Sequence, residues 1–436
     1  MNIRFAVVAA ATALAVSLPT QAADFQVAAG TSFSISGFFG LGLKSASISN
    51  SNRVGLSNEL RIDDNTSRLF FSGTTKIADG WNVVYQVGSR FTTDVRPGDV
   101  VVAGTTVPVA NATGWADDDT WAGVASPYGR LIFGKNSFYW SDTIGLPHLA
   151  GVLDAPGECY RIWDANGLGT FNILNQTPTI TKTNIMLNSY VLGITRSRNV
   201  LRYDSPNMKG ADVAVLWSKN PVGGELWYPG ANTPSPTLGY ARNYEDGSTM
   251  YARVRYNNNK GLTLHASMLD QKIQGGVYTP AAYNGPLDTK AFRLGAAYKL
   301  PFGLKFGVVF DSTEIENGVA GGATQFGASL GAAKRTAFEI PISYATGAHM
   351  FHLTYGKAGD VSSANASGAN QLNLVWDYAL TKKTFIGLYY TNLKNDTNGH
   401  YAPFLAGYSF GPTAINPAGT NGESWTQIGF NVQFWF

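Results

Sequence analysis

The feature that most constrains this chain is the alternation of apolar and polar residues in segment 423–436. Apolar side chains occupy every second position from Ile428 to Phe436, and between them fall Gln427, Gly429, Asn431, Gln433 and Trp435. A period of two is that of a β-strand with one apolar face. Such an aromatic edge strand would promote aggregation in a soluble protein, whereas a closed barrel in lipid needs an apolar outer face. We therefore interpret the segment as the closing strand of a membrane barrel.

The first 22 residues have the features of a secretory signal. Arg4 gives a short positive region, residues 5–18 form an uncharged apolar run, and Pro19 precedes a small-residue cleavage site at 20–22. The apolar run is shorter than the ~18 to 20 residues that span a bilayer, which argues against a retained anchor. We expect a signal peptide over 1–22 and a mature barrel domain over 23–436.

Composition narrows the classes of protein that remain. Beyond the signal no apolar stretch is long enough for a transmembrane helix, so the chain is either exported and soluble or a β-barrel. Charged residues make up 14% of the chain, against about 25% in typical soluble domains. The net charge of +3 gives no polycationic surface, so nucleic acid is not an expected partner. The single Cys159 excludes an intrachain disulfide framework and has no neighbouring histidine or cysteine that would suggest a reactive role.

Amphipathic segments separated by alternating short and long connections predict an all-β fold, a sixteen-stranded antiparallel transmembrane barrel. Residues 45–65 could hold a further strand pair, so fourteen or eighteen strands are the alternatives. The predicted strands lie near 33–44, 66–77, 80–91, 118–126, 129–136, 199–205, 211–219, 248–257, 261–269, 289–300, 303–314, 334–346, 348–357, 368–379, 384–395 and 423–436.

The connections indicate how such a barrel is oriented. Seven short turns, rich in Gly, Asn, Asp and Pro, are typical of tight hairpins. Eight long polar loops alternate with them, which is the asymmetry of an outer-membrane barrel with turns at the periplasm and loops outside. A β-sandwich shares the strand alternation but not this asymmetry, and no fixed period suggests a propeller. The loops lie near 45–65, 92–117, 137–198, 220–247, 270–288, 315–333, 358–367 and 396–422.

The alternation also assigns side chains to faces. Leu69 and Phe71 are expected to face lipid, and Trp81 and Tyr298 to lie in an interfacial aromatic girdle near the short turns.

Rings of arginine in a pore favour anions, because the guanidinium stays charged and presents several donors. The alternation assigns Arg61 and Arg130 to the inner or outer face less clearly than it does the other arginines. The arginines predicted to face inward are Arg68, Arg90, Arg202, Arg253, Arg255 and Arg293.

Several stretches resemble the Gram-negative general porins: 66–74, 121–136, 201–206 and 376–384, together with the terminal Phe436. The resemblance implies a trimeric sixteen-stranded porin of the outer membrane, with Phe436 read by the outer-membrane assembly machinery. It also implies that the third external loop, here 137–198, folds into the barrel and narrows the pore. This loop is unusually long, Lys135 stands where arginine is common, and Asp154–Glu158 is the nearest substitute for an absent Pro-Glu-Phe-Gly-Gly.

The third loop suggests a set of candidate constriction residues. Lys135, Arg196 and Arg198 flank it and join the six inward arginines as predicted pore-lining cations. Its acids would face this basic wall and set a transverse field; they are Asp154, Glu158 and Asp164. In the alternative interpretation, the arginines hold the loop through ion pairs. Loop aromatics could guide a partly apolar anion or simply pack the loop onto the wall; they are Tyr139, Trp140, Tyr160 and Trp163.

The function predicted from these features is passive diffusion of small hydrophilic solutes, with a preference for anions. A channel selective for organic, possibly aromatic, anions and an outer-membrane barrel enzyme are the alternatives. No cofactor or metal is expected, because the five histidines are scattered and His349 and His352 fall on opposite faces of one strand. The expected partners are solutes and anions, outer-membrane lipid, further copies of the chain in a homotrimer, and the assembly machinery.

Overall fold

The computed structural model of the protein describes sixteen segments of the chain: 23–50, 58–63, 67–90, 100–102, 105–107, 115–116, 118–139, 173–177, 190–191, 197–219, 247–273, 287–317, 332–362, 365–399, 401 and 422–436. The predicted signal peptide, 1–22, lies outside these segments. Within them, no helix is long and apolar enough to cross a membrane.

The described residues are almost entirely β-strand, with one short 3₁₀ turn at Ile173–Asn175. The strands are β1 (Ala23–Ala28), β2 (Thr31–Ser49), β3 (Asn58–Asp63), β4 (Arg68–Ala78), β5 (Trp81–Arg90), β6 (Val100–Val102), β7 (Thr105–Val107), β8 (Thr120–Ser126), β9 (Gly129–Asn136), β10 (Gln176–Thr177), β11 (Tyr190–Val191), β12 (Ser197–Asp204), β13 (Ala211–Ser218), β14 (Gly247–Asn257), β15 (Leu262–Ile273), β16 (Leu287–Lys299), β17 (Leu304–Asn317), β18 (Ala332–Thr346), β19 (His349–Ala358), β20 (Ala369–Ala379), β21 (Thr384–Asn395) and β22 (Ser424–Trp435).

The main sheet closes into a barrel whose wall has sixteen strand positions, as predicted. Antiparallel pairing runs from β2 through β4, β5, β8, β9 and β12 to β22, and β22 then pairs with β2. The small hairpins β6–β7 and β10–β11 are separate sheets. Because the ring is closed, no strand of the wall leaves a free edge, which is what lipid requires of a spanning sheet.

Strand β2 is longer than predicted and contacts two extra strands. On one edge β22 pairs with 38–49 and β1 with 31–35, and on the other edge β4 pairs with 31–38 and β3 with 42–47. Strands β1 and β3 therefore continue the lines of β22 and β4 and add no position to the wall. The predicted loop over 45–65 is wrong in this respect, because the alternation in 58–63 supports a strand.

The predicted short turns all connect neighbouring strands of the wall. At three consecutive turns a glycine with positive φ begins the return strand: Gly210, Gly261 and Gly303. A Cβ at each would collide with a carbonyl oxygen of the next strand, so only glycine lets the backbones approach this closely. In the first of them, Gly210 also donates its N–H to Asn207 Oδ1 at 2.7 Å.

Alternation across the wall separates an apolar outer face from a polar inner face. On β9, Leu131 and Phe133 are exposed, whereas Ile132 is buried. On β22, Ile428 points outward, and the inner positions are the polar ones predicted, with Gln427, Asn431 and Gln433 each about 1% exposed. Residues that continue from β9, Phe138 and Tyr139, are fully buried and pack against inner-face side chains, among them Tyr251. This apolar cluster thus lies inside the barrel, between the start of the third loop and the wall.

Candidate functional site: the inner wall and its loop

Three aspartates on the inner face each bridge two arginines. In each group, one arginine is the direct cross-strand partner of the aspartate: Arg130 with Asp204, Arg255 with Asp212, and Arg293 with Asp311. Directly opposed residues in an antiparallel pair share a face and lie within reach of each other. The second arginine comes from a nearby inward position on the same or the adjacent strand. We call these three groups the arginine triads.

The first triad joins strands β9 and β12. Asp204 accepts a hydrogen bond from Arg130 at 2.9 Å and from Arg202 Nη2 at 2.8 Å. Arg202 is buried and also donates to Asn136 Oδ1 and to the carbonyl oxygen of Ser137, at 3.0 and 3.2 Å. Arg130 is more exposed, at 36%, and its guanidinium lies 5.1 Å from the Trp121 ring centroid. Arg202 thus fixes the start of the third loop, whereas Arg130 keeps part of its charge accessible.

The second triad lies at the periplasmic ends of β13 and β14. Asp212 accepts from Arg253 Nη2 at 2.7 Å through one oxygen and from Arg255 Nε at 2.8 Å through the other. Arg253 and Arg255 are both on β14, two residues apart, and therefore share the inner face. Their side chains are 3% and 16% exposed, so Arg255 is the more accessible of the two.

The third triad is fully buried and holds the loop. Asp311 accepts hydrogen bonds from Arg293 Nε at 3.0 Å, Arg335 Nη2 at 3.1 Å and the Tyr139 hydroxyl at 2.7 Å. The Arg293 guanidinium also lies 4.6 Å from the centroid of the Tyr139 ring. Burial, and secondarily the Asp311 charge, raise the pKa of Tyr139 well above its ordinary value, so the phenol stays protonated as a donor.

A second contact between loop and wall involves the 3₁₀ turn Ile173–Asn175. Arg335 Nη1 donates to the Ile173 carbonyl at 2.9 Å, and Arg293 and Arg335 both donate to the Leu174 carbonyl at 3.1 Å. The Ile173 N–H donates to Gln371 Oε1 on β20 at 2.8 Å. The same two arginines therefore fix two stretches of the third loop, around Tyr139 and around Leu174.

The charges of the triads do not cancel. Three carboxylates face six guanidinium groups, which leaves three positive charges within the triads, between β9 and β18. Glu339 on β18 is a further buried acid on the same inner face. We call this part of the wall the arginine arc. A further arginine, Arg68 on β4, is paired with Asp118 at 3.1 Å and lies over the Phe38 ring, so that pair adds no net charge.

A second part of the inner wall, β19–β22 with β2, presents mostly amides and hydroxyls, and we call it the amide arc. The acid Asp377 lies 3.5 Å from His352 Nε2, and Lys44 comes from β2. Within the amide arc, the Gln427 amide donates to the Tyr389 hydroxyl at 2.6 Å. The inward residues here include Gln371, Asn373, Thr391, Gln427, Asn431 and Gln433.

The predicted site residues have different outcomes in this geometry. Arg68, Arg202, Arg253, Arg255 and Arg293 lie on the inner face, each in an ion pair. Arg90 and Arg198 belong to β5 and β12, but their side chains are not described. Residues outside the described segments are Asp154, Glu158, Asp164 and Arg196, and of the loop aromatics Trp140, Tyr160 and Trp163.

Lys135 differs from its predicted position. It falls in register with Leu131 and Phe133, which face outward, and its amine donates to the Ala116 carbonyl at 2.7 Å. The physical reason is the strict period of two along β9, which places Arg130, Ile132 and Asn136 inward and position 135 outward. Lys135 thus holds the end of the second loop and does not line the inner face.

The sequence analysis did not single out Arg335 or the three bridging aspartates. All four occupy inward positions of predicted strands, so the alternation itself was a usable signal. The aspartates were not predicted because the inward arginines were considered singly and not as members of cross-strand pairs.

A closed sixteen-stranded barrel with an apolar outer face, a polar inner face and a loop held inside it defines the class of membrane-spanning β-barrel channels. A model of the Gram-negative porin family matches residues 6–398, and the chain belongs to this family. Its location is accordingly the outer membrane of a Gram-negative cell.

Solved structures share the fold at low sequence identity. An anion-selective porin from Comamonas acidovorans is 17% identical with a TM-score of 0.63, covering 93% of this chain and 100% of that one. A trimer form of OmpT of Vibrio cholerae is 10% identical with a TM-score of 0.53, covering 93% and 99%. The outer-membrane channel DcaP of Acinetobacter baumannii is 14% identical with a TM-score of 0.53, covering 94% and 99%. Among curated proteins, none is similar enough in sequence to match.

Proposed function

We propose that the protein forms a water-filled pore for passive diffusion of small hydrophilic solutes and that the pore prefers anions. The observation that carries the preference is the surplus of three positive charges within the arginine triads. Two unit charges ~4 Å apart interact by about 1 kcal/mol in water and about 4 kcal/mol at an effective dielectric of ~20, before desolvation. A small residual part of this energy is enough to sort ions.

In this proposal, pairing with aspartate fixes the positions of the arginine side chains. An arginine alone on a wall would adopt many rotamers, whereas a bridging carboxylate fixes two guanidinium groups in one geometry and still leaves one net charge. Arg130 and Arg255 are the most exposed triad members, so we assign the solute-facing charge chiefly to them. Arg202, Arg293 and Arg335 have a supporting role, since they bond the third loop.

Homotrimeric assembly is part of the proposal and is supported by the trimer form of the Vibrio cholerae neighbour. The outer surface near β2–β5 is strongly apolar, with Leu60, Ile62 and Trp115 each more than 60% exposed. This surface would contact either lipid or another subunit. Native mass in mild detergent distinguishes a trimer from a monomer. Insertion of the barrel through recognition of Phe436 by the assembly machinery follows from the same proposal.

The test is reconstitution of the purified protein in planar bilayers. We expect large, steady, ohmic conductance steps and a zero-current potential across a potassium chloride gradient that has the sign of chloride preference. An absence of steps would contradict the pore, and a potential with the opposite sign would contradict the anion preference while leaving the pore intact. A barrel enzyme, the alternative predicted from the sequence, would give no conductance steps. Among the described residues, no group of three or more His, Cys, Asp or Glu could hold a metal ion.

A second candidate, selectivity for organic anions, is favoured by one contact. The exposed Arg130 guanidinium lies over Trp121, so a charge and an aromatic face are presented together. If this arrangement binds aromatic carboxylates, benzoate will block the conductance at concentrations where acetate does not. Equal effects of the two anions would support simple diffusion.

A further inference from the structure

The third loop touches the wall at a point where the wall has no side chain. Gly356 lies on the inner face of β19, and a Cβ placed on it would come within 2.7 Å of Ile173 Cγ2. Real Cβ atoms do not tolerate that distance, so only glycine lets the isoleucine reach the backbone. Ile173 is 0% exposed, and the Glu339 side chain borders the same space. We call this contact the Gly356 seat.

Hydrogen bonds on three wall strands hold the loop backbone directly above this seat. Gln371 on β20 accepts from the Ile173 N–H, and Arg335 on β18 and Arg293 on β16 donate to the carbonyl oxygens of Ile173 and Leu174. These bonds are directional and fix the turn laterally, whereas the glycine sets how close the turn can come to the wall. The contact with Gly356 therefore sets the closest approach of the turn to the wall.

We propose that the Gly356 seat sets the free cross-section of the pore and thereby its size limit for solutes, an inference that rests on the proposed diffusion function. The turn Ile173–Asn175 lies against the inner face of the wall, so a displacement from the wall moves it toward the barrel interior. A side chain at position 356 would push the turn toward the pore axis. Gly356 and Ile173 are thus positioning residues, which act through the loop and carry no charge.

The proposal is tested by adding side-chain volume at position 356 and removing it at position 173. In Gly356→Val we expect the single-channel conductance to fall about twofold, because conduction depends on pore radius. The uptake of a trisaccharide into vesicles should fall further than that of a monosaccharide. In the double variant Gly356→Val/Ile173→Ala, the carbon atoms removed from the loop make room for those added to the wall. The single-channel conductance and the sugar uptake should then return close to the parent values.

Controls separate this effect from misfolding and from charge. Thr354→Val changes the next inward residue of β19 without added bulk and should leave conductance unchanged. If Gly356→Val does not assemble, Gly356→Ala with and without Ile173→Ala provides the same comparison with a smaller volume. Unchanged conductance in the single variants, or a loss that Ile173→Ala does not reverse, would overturn the proposal.

The outcome is distinguishable from a failure of the proposed function. None of these substitutions changes a charge, so the zero-current potential should equal that of the parent in every variant. A parent protein that gives no conductance would refute the pore itself, whereas a conducting parent with variants of unchanged conductance would refute only the seat.

Discussion

The arginine arc and the amide arc line the same barrel but differ in the partners of their polar side chains. In the arginine arc, carboxylates pair with guanidinium groups at 2.7 to 3.1 Å, and three of those guanidinium groups also bind the third loop. In the amide arc, the Gln427 amide donates to the Tyr389 hydroxyl, whereas the buried Asn431 and Gln433 amides have no hydrogen-bond partner among the described residues. Both arcs attach the third loop, since Gln371 of the amide arc accepts a hydrogen bond from the Ile173 N–H, but the triads with their surplus positive charge belong to the arginine arc.

The largest difference between the arcs should appear when a buried carboxylate is removed. Asp311→Ala leaves Arg293 and Arg335 buried without their counterion, and breaking a buried ion pair in this way costs about 3–5 kcal/mol. Gln427→Ala in the amide arc removes a neutral hydrogen bond to Tyr389 and should cost about 1 kcal/mol. Urea unfolding of both variants refolded into lipid vesicles gives the two free energies. Equal losses would mean that the triads are not the stronger link.

A smaller difference is expected when a single hydroxyl is removed from each arc. Tyr139→Phe deletes a hydrogen bond to the Asp311 carboxylate, for which we expect a loss of about 1.5–3 kcal/mol. Tyr389→Phe deletes a neutral bond with Gln427, for which the expected loss is about 0.5–1.5 kcal/mol. Both free energies of unfolding are measured by the same urea titration. A larger loss for Tyr389→Phe would reverse the order of the arcs.

Alkaline pH should act on the arginine arc through Tyr139. Its pKa is raised in the folded state, so its contribution to stability is complete below the unfolded tyrosine pKa of about 10. Above that pH the unfolded chain loses the proton first, and stability falls by up to ~1.4 kcal/mol per pH unit until the folded pKa is reached. Tyr139→Phe should lose less stability than the parent between about pH 10 and 11. Identical slopes would contradict a buried, protonated Tyr139.

The smallest effect should follow from adding a charge to the neutral arc. Asn431→Asp places a carboxylate on the wall opposite the triads and should reduce the anion preference without abolishing it, because one charge offsets only part of the surplus. The zero-current potential measures the change, and Asn431→Ser is the control of unchanged charge. The same potential in the aspartate variant and in Asn431→Ser would show that position 431 does not face the ion path.

The alternation of residues was enough to predict the strands, because a closed barrel imposes the period of two on every segment. The same signal was present in 58–63, where Leu60 and Ile62 alternate with Glu59 and Arg61. The prediction placed a long external loop there and kept a further strand pair in 45–65 as an alternative. Lys135 was misplaced because the resemblance to a family position was preferred to the alternation along β9.

The triads could be predicted only where a short turn fixes the register. Arg293 and Asp311 are equally distant from Phe302 at the centre of their turn, so the hairpin alone places them opposite each other. Arg130 with Asp204 and Arg255 with Asp212 are joined across long loops, where sequence gives no register. The Gly356 seat depends on where a long loop returns to the wall, which no local pattern encodes.

The central claim, that the triads give the pore its anion preference, is tested most directly by the zero-current potential of Arg130→Gln/Arg255→Gln. This variant removes two of the three surplus charges and leaves Asp204 and Asp212 one arginine each, so neither carboxylate becomes unpaired. The matched control, Lys209→Gln/Lys260→Gln, removes two charges from exposed periplasmic turns. We predict that the potential of the triad variant moves most of the way to zero while that of the control equals the parent value. The same potential in the triad variant and the parent would contradict the account.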